Sequence, residues 1–221
     1  MRLNPAAIGI LAVFLAGPLS ARRTVYRYEE RSGSASWVGR YEVLSSESRI
    51  QILYSSPRET HRMTLDSALN TLDWSWESAG DSARAERRGP AVEVQGILKG
   101  KARKAAHDLG ALPWYQAPDY SLAALAARSK GSRLSFWVIW PGEFSFHRIS
   151  ARQAGPDVFD LGSSQVPAVR LILSVAGVPE WVWKNEYWYS PEGEYLGSRG
   201  RRGGPFSPLA SLRLLTKEAG P

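Results

Sequence analysis

The three histidines, at positions 61, 107 and 147, are the first candidates for chemistry, because imidazole can bind metals and transfer protons. They form no His-x-His or His-x-x-x-His pair, and only His107 has an adjacent acid, Asp108. Zinc sites need clustered His, Cys and carboxylate ligands, and the chain has no Cys. We therefore predict structural or surface roles for all three histidines, and we predict no metal and no cofactor.

Motifs for covalent catalysis are also missing from the sequence. There is no Gly-x-Ser-x-Gly elbow, no Ser-x-x-Lys pair and no Cys nucleophile. Asp157 and Asp160 are three residues apart and could meet a cation, but a solvated turn is the favoured interpretation. The sequence therefore predicts a protein that is not an enzyme.

Aromatic residues offer a different chemistry, the binding of apolar surface. The 221 residues include nine Trp and nine Tyr, and such side chains belong first of all to the core. Trp and Tyr are seldom wholly buried, however, so we predict that some of them line a groove for an apolar or amphipathic, lipid-like ligand. The predicted wall consists of Trp74, Trp76, Trp137, Trp140, Trp181, Trp183, Tyr187 and Tyr189.

Basic residues dominate the charge, which is +7 overall. Three clusters stand out: Arg84/Arg87/Arg88, Lys99/Lys101/Arg103/Lys104 and Arg199/Arg201/Arg202. Solvated loops that keep the protein soluble are one interpretation of all three. The alternative is contact with anionic lipid head groups or another envelope polyanion, for which Arg199, Arg201 and Arg202 are the candidates. Nucleic acid is not a predicted partner, because the chain is predicted to be exported.

Strands must position most of these residues. Residues 169–175 alternate apolar and polar side chains, which is the two-residue period of a half-buried strand. After the breaker at 177–179, residues 181–189 resume the period, with Trp181, Trp183, Tyr187 and Tyr189 on one side. We predict that the two segments pair as a hairpin.

Similar alternation recurs along the chain and predicts roughly eight to eleven strands. One helix is predicted at residues 120–128, capped by Asp119. Residues 134–140 are apolar on both faces, which predicts a central strand beneath that helix. The predicted fold class is mainly all-β: a single antiparallel sheet formed as a meander, with one short helix packed on it.

The N-terminus has the features of an export signal. Arg2 precedes the uncharged apolar run 8–17, and Ala21 offers a small residue for cleavage. The run is shorter than the roughly 20 residues that cross a bilayer as a helix. We predict a signal peptide at residues 1–21, a single β domain at 22–221 and a periplasmic location.

The order of these segments resembles a known family. The start V-Y-R-Y-E-E, the strand L-D-W-S-W, the helix P-D-Y-S-L, and the late pair V-R-L-I-L-S-V and W-V-W-K-N-E-Y-W-Y are similar to an uncharacterised family of bacterial envelope proteins. The resemblance implies one large, curved antiparallel sheet with a helix on its concave face. That layout is similar to the half-barrels of periplasmic lipoprotein carriers, which hold acyl chains against the sheet.

Two functions follow as expectations. The first is non-catalytic binding of an apolar or amphipathic envelope ligand, with peripheral membrane contact. The alternative is a structural or interaction module in envelope assembly, which recruits a protein partner through an exposed sheet edge. An enzyme acting on envelope glycan or lipid is the third and least favoured class. An aromatic groove on the concave face would favour the first function, and a filled concave face with an open edge the second.

Overall fold

The computed structural model describes residues 22–201 and 207–220. The predicted signal peptide at residues 1–21 lies outside this range. In the described part of the chain, no helix is long and apolar enough to cross a bilayer.

Fourteen strands and two short helical turns make up the structure. The first eight strands are β1 (Arg22–Ser32), β2 (Ala35–Ser45), β3 (Arg49–Ser55), β4 (Thr60–Asp66), β5 (Thr71–Ser78), β6 (Asp81–Arg88), β7 (Ala91–Leu98) and β8 (Lys101–Asp108). The helical turns are α1 (Pro118–Ser121) and α2 (Ala123–Ala126). The remaining strands are β9 (Arg133–Trp140), β10 (Ser145–Asp160), β11 (Gln165–Val175), β12 (Lys184–Tyr189), β13 (Tyr195–Arg201) and β14 (Leu209–Ala219).

All fourteen strands form one antiparallel sheet in the order β8-β7-β6-β5-β4-β3-β2-β1-β14-β13-β12-β11-β10-β9. The predicted fold class and the predicted pairing of residues 169–175 with the late aromatic segment are therefore confirmed. The strand number exceeds the predicted eight to eleven. Basic segments that look like loops account for part of the excess: in β6, Ala83 and Ala85 alternate with charged residues and are buried.

The meander gives the sheet two rims. Strands β1, β3, β5, β7, β9 and β11 all end at the same rim, which we call the upper rim; β13 ends and β14 begins there too. The opposite, lower rim carries the β2–β3, β10–β11 and β12–β13 turns. The upper rim therefore brings together segments that are far apart in the sequence.

One face of the sheet is concave and carries the core. A continuous cross-strand row runs over it from β2 to β7, namely Val43, Ile52, Met63, Trp74, Ala85 and Val94. Every member of the row is buried. Burial on one side of six neighbouring strands explains their clean two-residue period.

The prediction that residues 134–140 form a central strand is wrong. Strand β9 lies at one end of the sheet. Its Phe136 face packs in the core cluster with the helical turns, while Ile139 packs among the buried residues of β5 to β7. The two ends of the curved sheet thus overlap, and this overlap covers both faces of an edge strand. Being apolar on both faces does not require a central position.

The helical segment also differs from its prediction. Pro118 begins the first turn, because its fixed φ and missing N–H suit that position, so Asp119 lies inside the turn and Ala117 occupies the cap position. Leu122, with φ −89° and ψ 1°, separates the two turns. The second turn ends at Ala126, before the predicted end at Arg128.

The late aromatic segment, residues 181–189, also differs from its prediction. Pro179 O accepts hydrogen bonds from Val182 N at 2.9 Å and Trp183 N at 3.2 Å, which closes a turn and delays the strand to Lys184. Trp181 is 87% exposed in this turn, whereas Trp183 is 4% exposed. The prediction that these two tryptophans share one strand face is therefore wrong.

Candidate functional site

The concave face encloses a cavity of about 710 Å³ that opens toward the upper rim. We call it the upper cavity. Its walls come from β1 to β4, from the β9–β10 turn and from the start of β14, and the residues that precede and begin α1 line it from inside. The lining side chains used below are Glu30, Trp37, Tyr41, Tyr54, Arg58, Glu59, His61, Gln116, Asp119 and Trp140.

A buried carboxylate lies in this wall. Glu30 is 1% exposed, and its Oε1 accepts a hydrogen bond from the Tyr54 hydroxyl. Gly39 makes room for the pair, because a Cβ at this position would collide with Glu30 Oε1 and stand 2.9 Å from the Tyr54 ring. Tyr54 also contacts the ring of Tyr41, with centroids 4.7 Å apart. Three neighbouring strands therefore supply one interlocked polar and aromatic wall.

A second set of hydrogen-bonded side chains includes His61. Trp74 Nε1 donates to His61 Nδ1 at 3.2 Å, so the proton of the neutral imidazole lies on Nε2. That nitrogen is 3.3 Å from Glu59 Oε2, which also accepts a 3.0 Å hydrogen bond from Trp76 Nε1. The indole nitrogens of two core tryptophans thus hold His61 and Glu59 in place.

The mouth of the cavity carries a cation over an aromatic ring. The Arg58 guanidinium lies 4.0 Å from the centre of the Trp37 ring. Buried Trp37 Nε1 has no hydrogen-bond partner in the described part of the chain. The accessible polar group at the mouth is therefore the Arg58 guanidinium.

Side-chain hydrogen bonds fix the helical segment inside the sheet. The Tyr189 hydroxyl donates to Pro118 O at 3.2 Å and to Asp119 O at 3.0 Å, and Ser121 Oγ donates to Leu69 O at 2.9 Å. Burial raises the pKa of Tyr189 well above its usual value, so it stays neutral and can donate.

A second cavity, of about 490 Å³, lies on the other side of this segment and is lined by Tyr26, Tyr28, Tyr195 and Lys217 among others. Tyr41 and Asp119 line both cavities. The helical segment therefore divides the interior space in two.

The structure distributes the eight predicted ligand-binding aromatics widely. Trp140 lines the upper cavity. The buried Trp74 and Trp76 belong to one core cluster and Trp183 and Tyr189 to the other, while Trp137 and Tyr187 are partly buried at the edges of these clusters. Trp181 is on the surface. Of the eight, the structure thus brings only Trp140 to the upper cavity.

The predicted head-group arginines lie in another place. Arg199 and Arg201 belong to β13 and not to the loop in which the sequence placed them. Arg202 lies outside the described residues. Both described arginines line a surface depression on the convex side that also contains Trp181.

Several lining residues were not among the predicted ligand-binding residues, namely Glu30, Trp37, Tyr41, Tyr54 and His61. A signal for them exists in the first strand, where Tyr26, Tyr28 and Glu30 alternate on one side. A carboxylate that continues an aromatic strand face indicates a polar group inside a core. The hairpin partners of that strand would then have pointed to Trp37 and Tyr41.

The histidines do not converge. His61 lines the upper cavity, His107 meets the Trp137 ring edge to face and stacks on Phe146, and His147 stacks on Trp140 with ring centroids 3.6 Å apart. Within residues 22–201 and 207–220, no group of three His, Asp or Glu side chains is arranged to hold a metal ion.

Solved structures give the fold a precedent. The chain is a curved antiparallel sheet with a helical segment on its concave face, as the family resemblance implied. The fold is similar to that of a beta-barrel-like protein of a domain of unknown function (DUF1849) from Brucella abortus. That structure matches with a TM-score of 0.54 at 11% identity, over 92% of this chain and 99% of its own.

Two further structures are similar at lower scores. The hypothetical lipoprotein YmcC from Escherichia coli matches with a TM-score of 0.42 at 14% identity, over 88% of this chain and 84% of its own. A LolA superfamily protein from Nitrosomonas europaea has a TM-score of 0.23 at 10% identity, over 91% of this chain and 87% of its own. Neither a protein-family model nor a curated protein sequence matches the chain. At these identities the likeness concerns the fold alone, and it rests on the Brucella structure.

Proposed function

We propose that this protein is a non-catalytic binding protein for an amphipathic, lipid-like ligand, which it holds in the upper cavity. The observation that carries the proposal is the cavity itself. Its volume of about 710 Å³ lies within the range of small-molecule sites. Aromatic rings from Trp37, Tyr41 and Trp140 alternate in its wall with polar groups.

The wall suits a molecule with an apolar body and a polar end. Each methylene that leaves water for such a wall contributes about 0.8 kcal/mol, so a chain of eight gives roughly 6 kcal/mol before association costs. The polar end can use the Arg58 cation at the mouth.

The polar groups of the cavity favour binding over catalysis. Tyr54 donates to Glu30, and two indole nitrogens donate to His61 and Glu59. Such bonds hold the side chains in fixed positions as parts of a wall. We further propose a periplasmic location, supported by the apolar run and small residue of the N-terminal sequence.

Native mass spectrometry of the protein with lipids extracted from a bacterial envelope tests this proposal. Gly142 lines the cavity mouth, and a Cβ added there would meet open space, so Gly142→Phe should obstruct the mouth at little cost to folding. Val38→Phe, at a half-exposed position on the convex face, is the matched control.

We expect bound lipid on the wild type and on Val38→Phe, and much less on Gly142→Phe. A wild type that carries no lipid and takes up none when offered would refute the proposal. Equal loading of all three proteins would place the ligand outside the upper cavity.

One observation favours the alternative interaction module. Strand β8 pairs with β7 on one side and is the other end of the sheet, and its residues 101–104 are exposed. An extended segment of a partner could add to this edge. Amide hydrogen exchange of residues 101–108 tests it: an envelope protein extract should slow exchange there, and unchanged exchange would count against this function.

A further inference from the structure

Trp181 is exposed to an unusual degree for its size. Its side chain is 87% exposed in the turn between β11 and β12 at the upper rim. Exposing a large indole to water is unfavourable, because its apolar surface is not buried. The folded chain alone therefore gives Trp181 no role in stability.

The surroundings of Trp181 combine apolar and basic groups. Leu209, at the start of β14, is 49% exposed and lines the same depression of about 380 Å³. Lys184, Arg199 and Arg201 also line it. The name rim patch is used below for five of these residues, namely Trp181, Lys184, Arg199, Arg201 and Leu209.

The acids of the depression are already paired. Glu180 lies 3.6 Å from Arg152, and Glu186 lies 3.4 Å from Arg170 and 3.8 Å from Lys184. Arg199, by contrast, forms no ion pair with another described residue. The rim patch therefore presents excess positive charge beside exposed apolar surface.

Side-chain hydrogen bonds from β12 fix the backbone of β13 beside the two arginines. Arg201 N donates to Asn185 Oδ1 at 2.6 Å, and Asn185 Nδ2 donates back to Arg201 O at 3.2 Å. Gly200 allows this close approach, because a Cβ there would collide with the Asn185 side chain. The β13 backbone at Arg201 is thus fixed to β12, the strand that follows the turn with Trp181.

The rim patch adjoins the mouth of the upper cavity. Pro208 and Ala210 line the cavity, while Leu209 between them belongs to the patch. A surface that contacts the patch would therefore lie beside the opening through which a ligand enters.

We propose that the rim patch docks the upper rim onto an anionic lipid bilayer. Tryptophan favours the boundary between water and lipid, where its ring is buried and its N–H stays hydrated. Arginine and lysine are attracted to negative head groups at the same depth. Docking brings the cavity mouth to the bilayer, but the patch does not depend on any ligand in the cavity.

Vesicle binding with a Trp181-specific signal tests the docking. The full chain is mixed with vesicles of phosphatidylglycerol and phosphatidylcholine, with brominated acyl chains that quench a tryptophan inserted among them. Trp181→Phe removes the reporter and keeps a ring. All variants share the same N-terminal residues, so differences between them report on the patch.

We expect quenching of the wild type that Trp181→Phe loses. Arg199→Gln/Arg201→Gln should weaken partition by more than about tenfold at low salt, since each arginine near a charged surface counts for about fivefold. Arg49→Gln/Arg128→Gln removes the same charge from exposed positions near the lower rim and should partition like the wild type.

Two results would overturn the docking. One is equal quenching of the wild type and Trp181→Phe. The other is equal partition of the two double arginine variants. If Trp181→Phe instead changes the oligomeric mass in solution and leaves vesicle binding unchanged, the patch is a protein interface and the proposal is wrong.

Discussion

Gly39 in β2 leaves the space that Glu30 in β1 occupies on the concave face. The carboxylate of Glu30 is 1% exposed and lies against the Gly39 backbone, where it accepts the hydroxyl of Tyr54. The absence of one side chain thus permits a buried carboxylate in the wall of the upper cavity.

Gly39→Ala should therefore destabilise the fold. Its Cβ would collide with Glu30 Oε1, and overpacking of this kind costs typically about 1–3 kcal/mol. Urea unfolding measures the change. In a Glu30→Ala background the same substitution should cost clearly less, and an equal cost in both backgrounds would show that Glu30 is not the obstacle.

Gln116→Ala should loosen the edge strand β9. The Gln116 side chain donates to Ile139 O at 2.9 Å and accepts from Ile139 N at 3.0 Å, as a neighbouring strand would. Removing it leaves buried backbone groups without partners, which costs about 1–3 kcal/mol. Hydrogen exchange at the Ile139 amide should accelerate, and an unchanged rate would contradict this contact.

Trp181→Ala and Trp183→Ala should differ sharply in stability. Trp183 is 4% exposed in the core cluster, so truncation should cost about 3–5 kcal/mol. Trp181 is 87% exposed, so its loss should change stability by less than about 0.5 kcal/mol. Thermal unfolding of the two single variants measures this difference. Similar melting temperatures for both variants would contradict the turn at residues 179–183.

His147 should make stability fall on mild acidification. Burial lowers the pKa of His147 below its usual value, with Glu143 acting in the opposite direction. Between the unfolded pKa of about 6.5 and the lower folded pKa, the unfolded chain binds a proton that the folded chain does not. The contribution of His147 to the free energy of unfolding is therefore complete above the pKa of the unfolded state. It decreases as the pH falls from there to the lower pKa of the folded state.

His147→Phe preserves a ring against Trp140 and removes the titration. The melting temperature of this variant should depend less on pH between about 6.5 and 5 than that of the wild type. Identical pH profiles would assign the acid sensitivity to other groups.

The all-β class, the antiparallel meander and most strand positions could be predicted from the sequence. These follow from local alternation, because a strand buried on one face must repeat every two residues. The row from Val43 to Val94 is the clearest case, since each member lies on an alternating strand. The signal peptide at residues 1–21 and the domain bounds remain predictions from the sequence.

Whether an aromatic side chain lines a cavity or fills the core depends on the tertiary fold. Both kinds have the same local pattern, and their difference depends on contacts between distant residues. The Tyr28 hydroxyl, for example, donates to Tyr195 O across 167 residues. The overlap of the sheet ends is equally nonlocal: it buries β9 on both faces at an edge, and periodicity within eight residues contains no information about what lies on the other side.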